Sequence, residues 1–211
     1  MTLEIRTLQD YLPELRSRVI AASQELGGSD TNGSDSGFRE QGFTSVITDL
    51  LDDLGHVEEV NLCYFEHQIS RSTAKVNAFS FDQDGQHLHL ITALFNDLES
   101  PGRVKRSEIQ RAVDRAGHVL TVASRNYASD LDLASDESDM IGRIKDSRDS
   151  IEKFTIHVLV DGFVGDISGV SVNVDEIDGD FSVWDLRRIN RAESSGLSYE
   201  PTDIDLVERF G

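Results

Sequence analysis

Apolar and polar positions alternate on two arms between residues 74 and 95: Val76, Ala78 and Ser80 against Asn77, Phe79 and Phe81, then Leu88, Leu90 and Thr92 against His89, Ile91 and Ala93. A period of two on each arm predicts two β-strands. Asp84-Gly85 lies between them and supplies the positive φ that a short hairpin turn needs. Helical spacing governs both flanks. Leu8, Leu12, Leu15, Val19, Ile20 and Ala22 form one stripe within 3–26, where Pro13 is expected to kink or break the helix and Gly27 to end it. A second stripe, Phe43, Val46, Ile47, Leu50, Leu51 and Leu54, predicts a helix over 38–54 stopped by Gly55. Val60, Leu62 and Tyr64 alternate within 57–69, which reads as a strand leading into the hairpin.

Beyond the hairpin, Ile109, Ala112, Val113, Ala116, Val119, Leu120 and Ala123 predict a helix over 107–127. Residues 135–151 open on SDESD, an acidic start with several candidate caps, and continue through Met140, Ile141 and Ile144. FTIHVLV at 154–160 is dense in β-branched residues and predicts an interior strand. Further strands are expected at 170–174 and 204–206, with a short helix over 181–192 that begins near Val183 and Trp184. This order gives an α/β (α+β) domain, a mixed sheet flanked by helices. GSDTNGSDSG at 28–37 is too polar to pack, so it reads as a linker between an N-terminal helical arm at 1–27 and the domain at 38–211.

Composition narrows the partners. The chain has 211 residues and a formal charge of -19, which excludes electrostatic capture of DNA or RNA over its whole surface. Local basic groups remain: Arg103, Lys105, Arg106, Arg111 and Arg115, then Arg143, Lys145 and Arg148, then Arg187, Arg188 and Arg191. Their ordinary role is a solvated helix face paired with nearby acids. No apolar run reaches the ~18 residues of a membrane span and no secretion signal opens the chain, so a cytoplasmic protein without membrane contact is expected. Cys63 is alone, which leaves no disulfide framework and no cysteine-based zinc site within one chain.

Common catalytic motifs are absent. GFVGDISG at 162–169 lacks the lysine and following helix of a phosphate loop and reads as a turn. The six histidines have no metal-ligand spacing, although His87 and His89 share a strand face. Glu40 on the second helix, Asn77 on the first arm and His89 with Thr92 on the second come from three neighbouring elements. A metal-dependent nuclease takes a helix Glu, a strand Asp and an acidic-x-Lys from such a layout to hold Mg²⁺ and steady the attacking water. Here the layout is present without the acids.

The helix FREQGFTSVITDLLDDLG, the hairpin KVNAFSFDQDGQHLHLITALF and above all VWDLRRINRAESSGLSYEPTDIDL resemble the N-terminal region of the AIPR family, the abortive-infection phage-resistance proteins of bacteria, over about 38–206. Trp184-Asp185-Leu186-Arg187-Arg188, with Pro201 and Asp203-Ile204-Asp205, is the most specific part. The resemblance implies a defence protein whose N-terminal domain is similar to the restriction-endonuclease fold and is followed by a larger domain, so this chain reads as an N-terminal fragment. In many relatives the first arm carries an Asp in an Ile-Asp-Gly-Tyr context and the second ends in Asp-Phe; here Asn77 and Leu94 stand there, while Glu40 matches the helix position. The expectation is a degenerate site at Glu40, Asn77 and His89 with no certain cofactor, and nucleic-acid contact through Arg187, Arg188, Arg191, Lys105 and Arg106. Two alternatives stand beside it. One is a working Mg²⁺-dependent nuclease that draws acids from Glu40, Glu66, Asp82 or Asp161; the other is an acidic module for a protein partner or a homodimer.

Overall fold

The computed structural model describes residues 8–28, 36–69, 71–97, 100–124, 135–174 and 177–196. In chain order the elements are α1 (Leu8–Glu25), α2 (Ser36–Asp53), β1 (Asn61–Ile69), β2 (Ser72–Phe81), β3 (His87–Leu94), β4 (Arg103–Val104), α3 (Arg106–Ser124), α4 (Asp136–Asp146), β5 (Lys153–Val160), β6 (Phe163–Val164), β7 (Asp178–Trp184) and α5 (Leu186–Gly196). The main sheet runs β1-β2-β3-β5-β7, and β4 pairs with β6 in a separate ribbon. β1, β2 and β3 are antiparallel neighbours, whereas β5 lies parallel to both β3 and β7. The fold is α/β, a mixed sheet with helices on both faces.

The expected glycine stops and the hairpin turn form. Gly27 and Gly55 end α1 and α2 at φ +99° and +69°. In both, the next residue's N–H reaches back five positions, Gly28 to Ser23 O at 2.9 Å and His56 to Leu51 O at 2.8 Å, the closing bonds of a left-handed helix end. The hairpin turn has Gly85 at φ +69°, and Asp82 Oδ1 accepts the N–H groups of Gln86 (2.9 Å) and His87 (3.0 Å). Ser135 caps α4 by accepting the Ser138 N–H.

Two apolar clusters sandwich the sheet. Val76, Phe79, Leu88, Leu90, Phe154, Ile156 and Val158 meet α3 and α4 on one face. Ala78, Ile91, Ala93, Leu159 and Trp184 meet α1, α2 and α5 on the other. Gly42 is where α1 and α2 cross, since a Cβ there would lie 2.6 Å from Val19 O and 2.8 Å from Ser23 N. Tyr11, Leu12, Leu15 and Val19 of α1 are therefore buried in the same cluster as Phe43, Ile47 and Leu51 of α2, and Arg18 pairs with Glu193 of α5. Pro13 sits inside α1 without ending it.

Three local expectations change. Residues 170–174 join no sheet, because the Gln110 side chain occupies the Ser171 backbone on both sides, donating to its carbonyl at 2.9 Å and accepting its N–H at 3.1 Å. Residues 178–184 form β7 rather than the start of a helix. The helix waits for Asp185, whose Oδ1 caps the Arg188 N–H at 3.0 Å. On β2 the strict alternation slips: Val76 and Phe79 share one face while Ala78 takes the other. The slip lies beside an irregularity in β1, where Leu62 and Phe65 pair with Ala78 and Val76. Most of the expected linker, at 29–35, and the expected strand at 204–206 lie outside the described residues.

Candidate functional site

The slip on β2 puts Asn77 at a place where the ladder needs a substitute partner. Paired residues of β2 and β3 end at Ala78 and Ile91. Beyond them Asn77 Oδ1 accepts the Ala93 N–H at 2.8 Å, and its Nδ2 donates to Glu40 Oε1 of α2 at 2.7 Å. Lys75 Nζ reaches the same Glu40 oxygen at 2.6 Å, with side-chain exposures of only 15% and 16% for the two partners. A helix, two strands and a single carboxylate oxygen are tied together at one point. Next to it opens a cleft of about 140 Å³ lined by Glu40, Lys75, Leu94, Asn96, Val104 and Glu108.

The cleft wall at Asn96 is fixed by a second set of bonds. Asp161, at the end of β5, accepts the N–H groups of Asn96 (2.7 Å) and Asp97 (2.8 Å) and the Asn96 amide (3.2 Å). Burial raises the pKa of its carboxyl group, and these bonds oppose that rise. Asp97 sits at φ +49°, and its carboxylate binds Arg39 at 2.7 Å and Arg16 at 3.4 Å. The turn leaving β3 is thus tied to α1, α2 and β5.

Mg²⁺, implied by the resemblance to nucleases, needs several oxygen donors free to face it. The residues of this cleft do not fit that need: Glu40 Oε1 already accepts an ammonium and an amide, Asn77 Oδ1 is committed to Ala93, and Lys75 sets a positive charge where the cation would sit. Among the described residues, no group of three or more His, Cys, Asp or Glu is placed to hold a metal ion.

His89 does not join Glu40 and Asn77. Its ring lies against His87, tilted by 32° with centroids 4.1 Å apart, and its Nδ1 lies 3.0 Å from His157 Nε2. The Trp184 indole donates to Ser182 Oγ at 3.1 Å and, at longer range, to His157 Nδ1 at 3.4 Å. Ser182 Oγ also lies 3.1 Å from His157 Nδ1. An indole N–H can only donate, so with the hydroxyl accepting from Trp184 and donating to Nδ1 the His157 proton is assigned to Nε2, aimed at His89. Burial, followed by the neighbouring histidines, pulls His157 down to about 3; burial, followed by His87, pulls His89 down to about 4. Both rings are neutral at pH 7.

The basic residues divide by use. Arg188 is spent on structure, with its guanidinium 3.6 Å from the Trp184 ring centroid and bonded to Val183 O at 2.9 Å. Arg187 is exposed and lies 4.7 Å from the centroid of Phe163. Arg191 and Lys105 are exposed, as is Arg106, which donates to Ser168 O at 3.0 Å. The β4–β6 ribbon sets exposed Arg103 in register with Phe163, so the basic starts of α3 and α5 meet at one ribbon. Lys75, Glu108 and Phe163 escaped the sequence reading as site residues. For Lys75 the signal was available: it stands two residues before Asn77, on the same side of the strand.

The family model described as the abortive infection phage resistance protein N-terminal domain matches residues 43–191. No curated protein and no solved structure matches the chain. No helix among the described residues is long and apolar enough to cross a membrane.

Proposed function

The chain belongs to the family of abortive infection phage resistance protein N-terminal domains, and from that premise we propose that this module binds nucleic acid for an anti-phage defence protein without cutting it. Its framework is nuclease-like, with the metal site neutralised from within. The observation that carries this reading is the Lys75 ammonium 2.6 Å from Glu40 Oε1, with Asn77 Nδ2 at 2.7 Å on the same oxygen. Where a nuclease holds a cation between carboxylates, this chain has a lysine and an amide. Contact with nucleic acid is assigned to the ribbon, where Arg103, Lys105, Arg106 and Arg187 are exposed on an otherwise acidic protein. Arg191 extends that face along α5, whereas Arg188 supports it from beneath.

Fluorescence anisotropy with labelled oligonucleotides in EDTA, alongside incubation of plasmid DNA with Mg²⁺ or Mn²⁺, tests the proposal. Binding is expected in EDTA, weakening steadily as salt rises because phosphate contacts release counterions. The plasmid is expected to stay intact. Replacing Arg187 and Arg191 by Ala should reduce the salt slope by about one for each lost phosphate contact. Cleavage that disappears in Glu40→Ala would overturn the non-cutting reading. Absence of oligonucleotide binding, or binding indifferent to salt, would overturn the nucleic-acid reading.

A further inference from the structure

A slot of about 410 Å³ lies outside the carboxyl ends of the parallel strands β3 and β5, between the first turns of α1 and the loops that follow those strands. Open α/β sheets place their ligands in that kind of crevice. Its walls are Leu8, Leu12, Pro13, Pro101 and Phe163, while Gln9 and Ser100 bring an amide and a hydroxyl to the same surface. The volume falls in the lower part of the ~300–1,000 Å³ range of small-ligand pockets. One nucleoside fills such a space.

The walls are built in advance. Phe163 N–H donates to Gly102 O at 2.8 Å and Leu186 N–H to Gly162 O at 3.1 Å, so the Pro101 loop, the Phe163 turn and the start of α5 are bonded in series. Gly162 permits the approach, since a Cβ there would stand 2.4 Å from Gly102 O. Arg187 then lies over the Phe163 ring, and Arg103 is the register partner of Phe163 in the ribbon. Flat apolar surfaces beside two exposed guanidinium groups match a base joined to a phosphate. An apolar side chain from a protein partner would leave the two cations unanswered.

We propose that this slot receives one nucleobase of a single strand, stacked against Phe163, while Arg187 and Arg103 hold the adjoining phosphates. The proposal rests on the nucleic-acid reading and names the part of the strand that the module grips. A free nucleotide carries the same chemistry, so the test includes both sources.

Anisotropy is measured with a labelled single-stranded oligonucleotide and with one of equal length made of abasic sites, and a nucleoside monophosphate serves as competitor. Phe163→Ala is expected to weaken the base-bearing strand about 5- to 150-fold, the range of one lost stacking contact. It should weaken the abasic strand far less, since that strand loses only the ring beneath Arg187, and Phe163→Tyr should bind both strands normally. Ser100→Trp, at an exposed position on the slot, should block the base-bearing strand alone and serves as the second variant if Phe163→Ala melts early. Arg187→Ala should weaken both strands. If Phe163→Ala and Ser100→Trp bind the base-bearing strand normally, the slot is overturned and the nucleic-acid reading stands. If the unaltered protein binds neither strand, both fall; if the monophosphate displaces the strand at equal concentration, a free nucleotide is the occupant and the single-strand assignment is overturned.

Discussion

The cleft at Glu40 and the histidine chain at His157 lie on the same face of one sheet, and both set polar groups among buried apolar ones. They satisfy those groups by opposite means. Glu40 and Lys75 use full charges and keep a little exposure, with the buried Asn77 amide between them and the sheet, and they stand beside about 140 Å³ of open space. Trp184, Ser182, His157 and His89 use neutral groups ordered by one obligatory donor, and His157 is 4% exposed. Buried polarity alone therefore does not mark a site. A lining that leaves room and a charge within reach of it does, and of these two regions the cleft has both.

The largest break in this comparison is Trp184→Ala. It removes a 2% exposed indole together with the donor that orders the chain, and about 3–5 kcal/mol of stability should go with it in urea denaturation. Trp184→Phe keeps most of the ring and should cost about 1–2 kcal/mol, the value of the lost hydrogen bonds. Equal losses for the two would mean that the ring does not hold this part of the core.

Acid comes next. His157 has a folded pKa of about 3, below its ordinary 6.5, so the unfolded chain binds the proton more readily. Its contribution is complete above about pH 6.5 and is lost as pH falls towards 3, on the order of 3 kcal/mol by pH 4. Denaturation measured between pH 7 and pH 4 should show a loss that shrinks in His157→Phe. A profile unchanged by that substitution would place the acid sensitivity elsewhere.

Lys75→Met attacks the other region. Breaking a fully buried pair costs about 3–5 kcal/mol, and the residual exposure of Lys75 and Glu40 reduces that to about 2–3. Adding Glu40→Gln should return most of it, because no carboxylate is then left without its cation. If the double variant is no more stable than Lys75→Met, the ammonium is not what neutralises Glu40.

The sequence showed the hairpin, both glycine stops and the interior strand at 154–160 because each depends on local chemistry: a period, a left-handed turn, a run of β-branched side chains. It missed what depends on partners far along the chain. Val170 to Val174 has strand composition, yet the Gln110 side chain, 61 positions away, takes the Ser171 backbone. Val183 and Trp184 looked like a helix start until β5 supplied a parallel edge for them. Glu40 and Asn77 were legible together because they come from neighbouring elements, and the same period of two placed Lys75 beside Asn77, although a lysine there reads first as a solvated strand residue. His89 points to the same side of the sheet as Asn77, but its partner His157 lies on a strand that enters 68 positions later.

The smallest expected effect tests the comparison at its root. Ser182→Ala deletes the nearer acceptor of the Trp184 N–H together with the Ser182 Oγ contact to His157 Nδ1 at 3.1 Å, and leaves that nitrogen, at 3.4 Å, to receive the indole N–H. The stability cost should be about 0.5–1.5 kcal/mol, that of one exchanged hydrogen bond. The tautomer should not change, because the indole still donates to Nδ1 and the proton must stay on Nε2. Nitrogen chemical shifts of the two His157 ring atoms read this directly, with Nδ1 bare and Nε2 protonated in both proteins. A proton on Nδ1 would require the proton between the two rings to sit on His89 Nδ1, donated to His157 Nε2 across the 3.0 Å gap. The chain would then run in the opposite sense, and the indole would not be the donor that orders it.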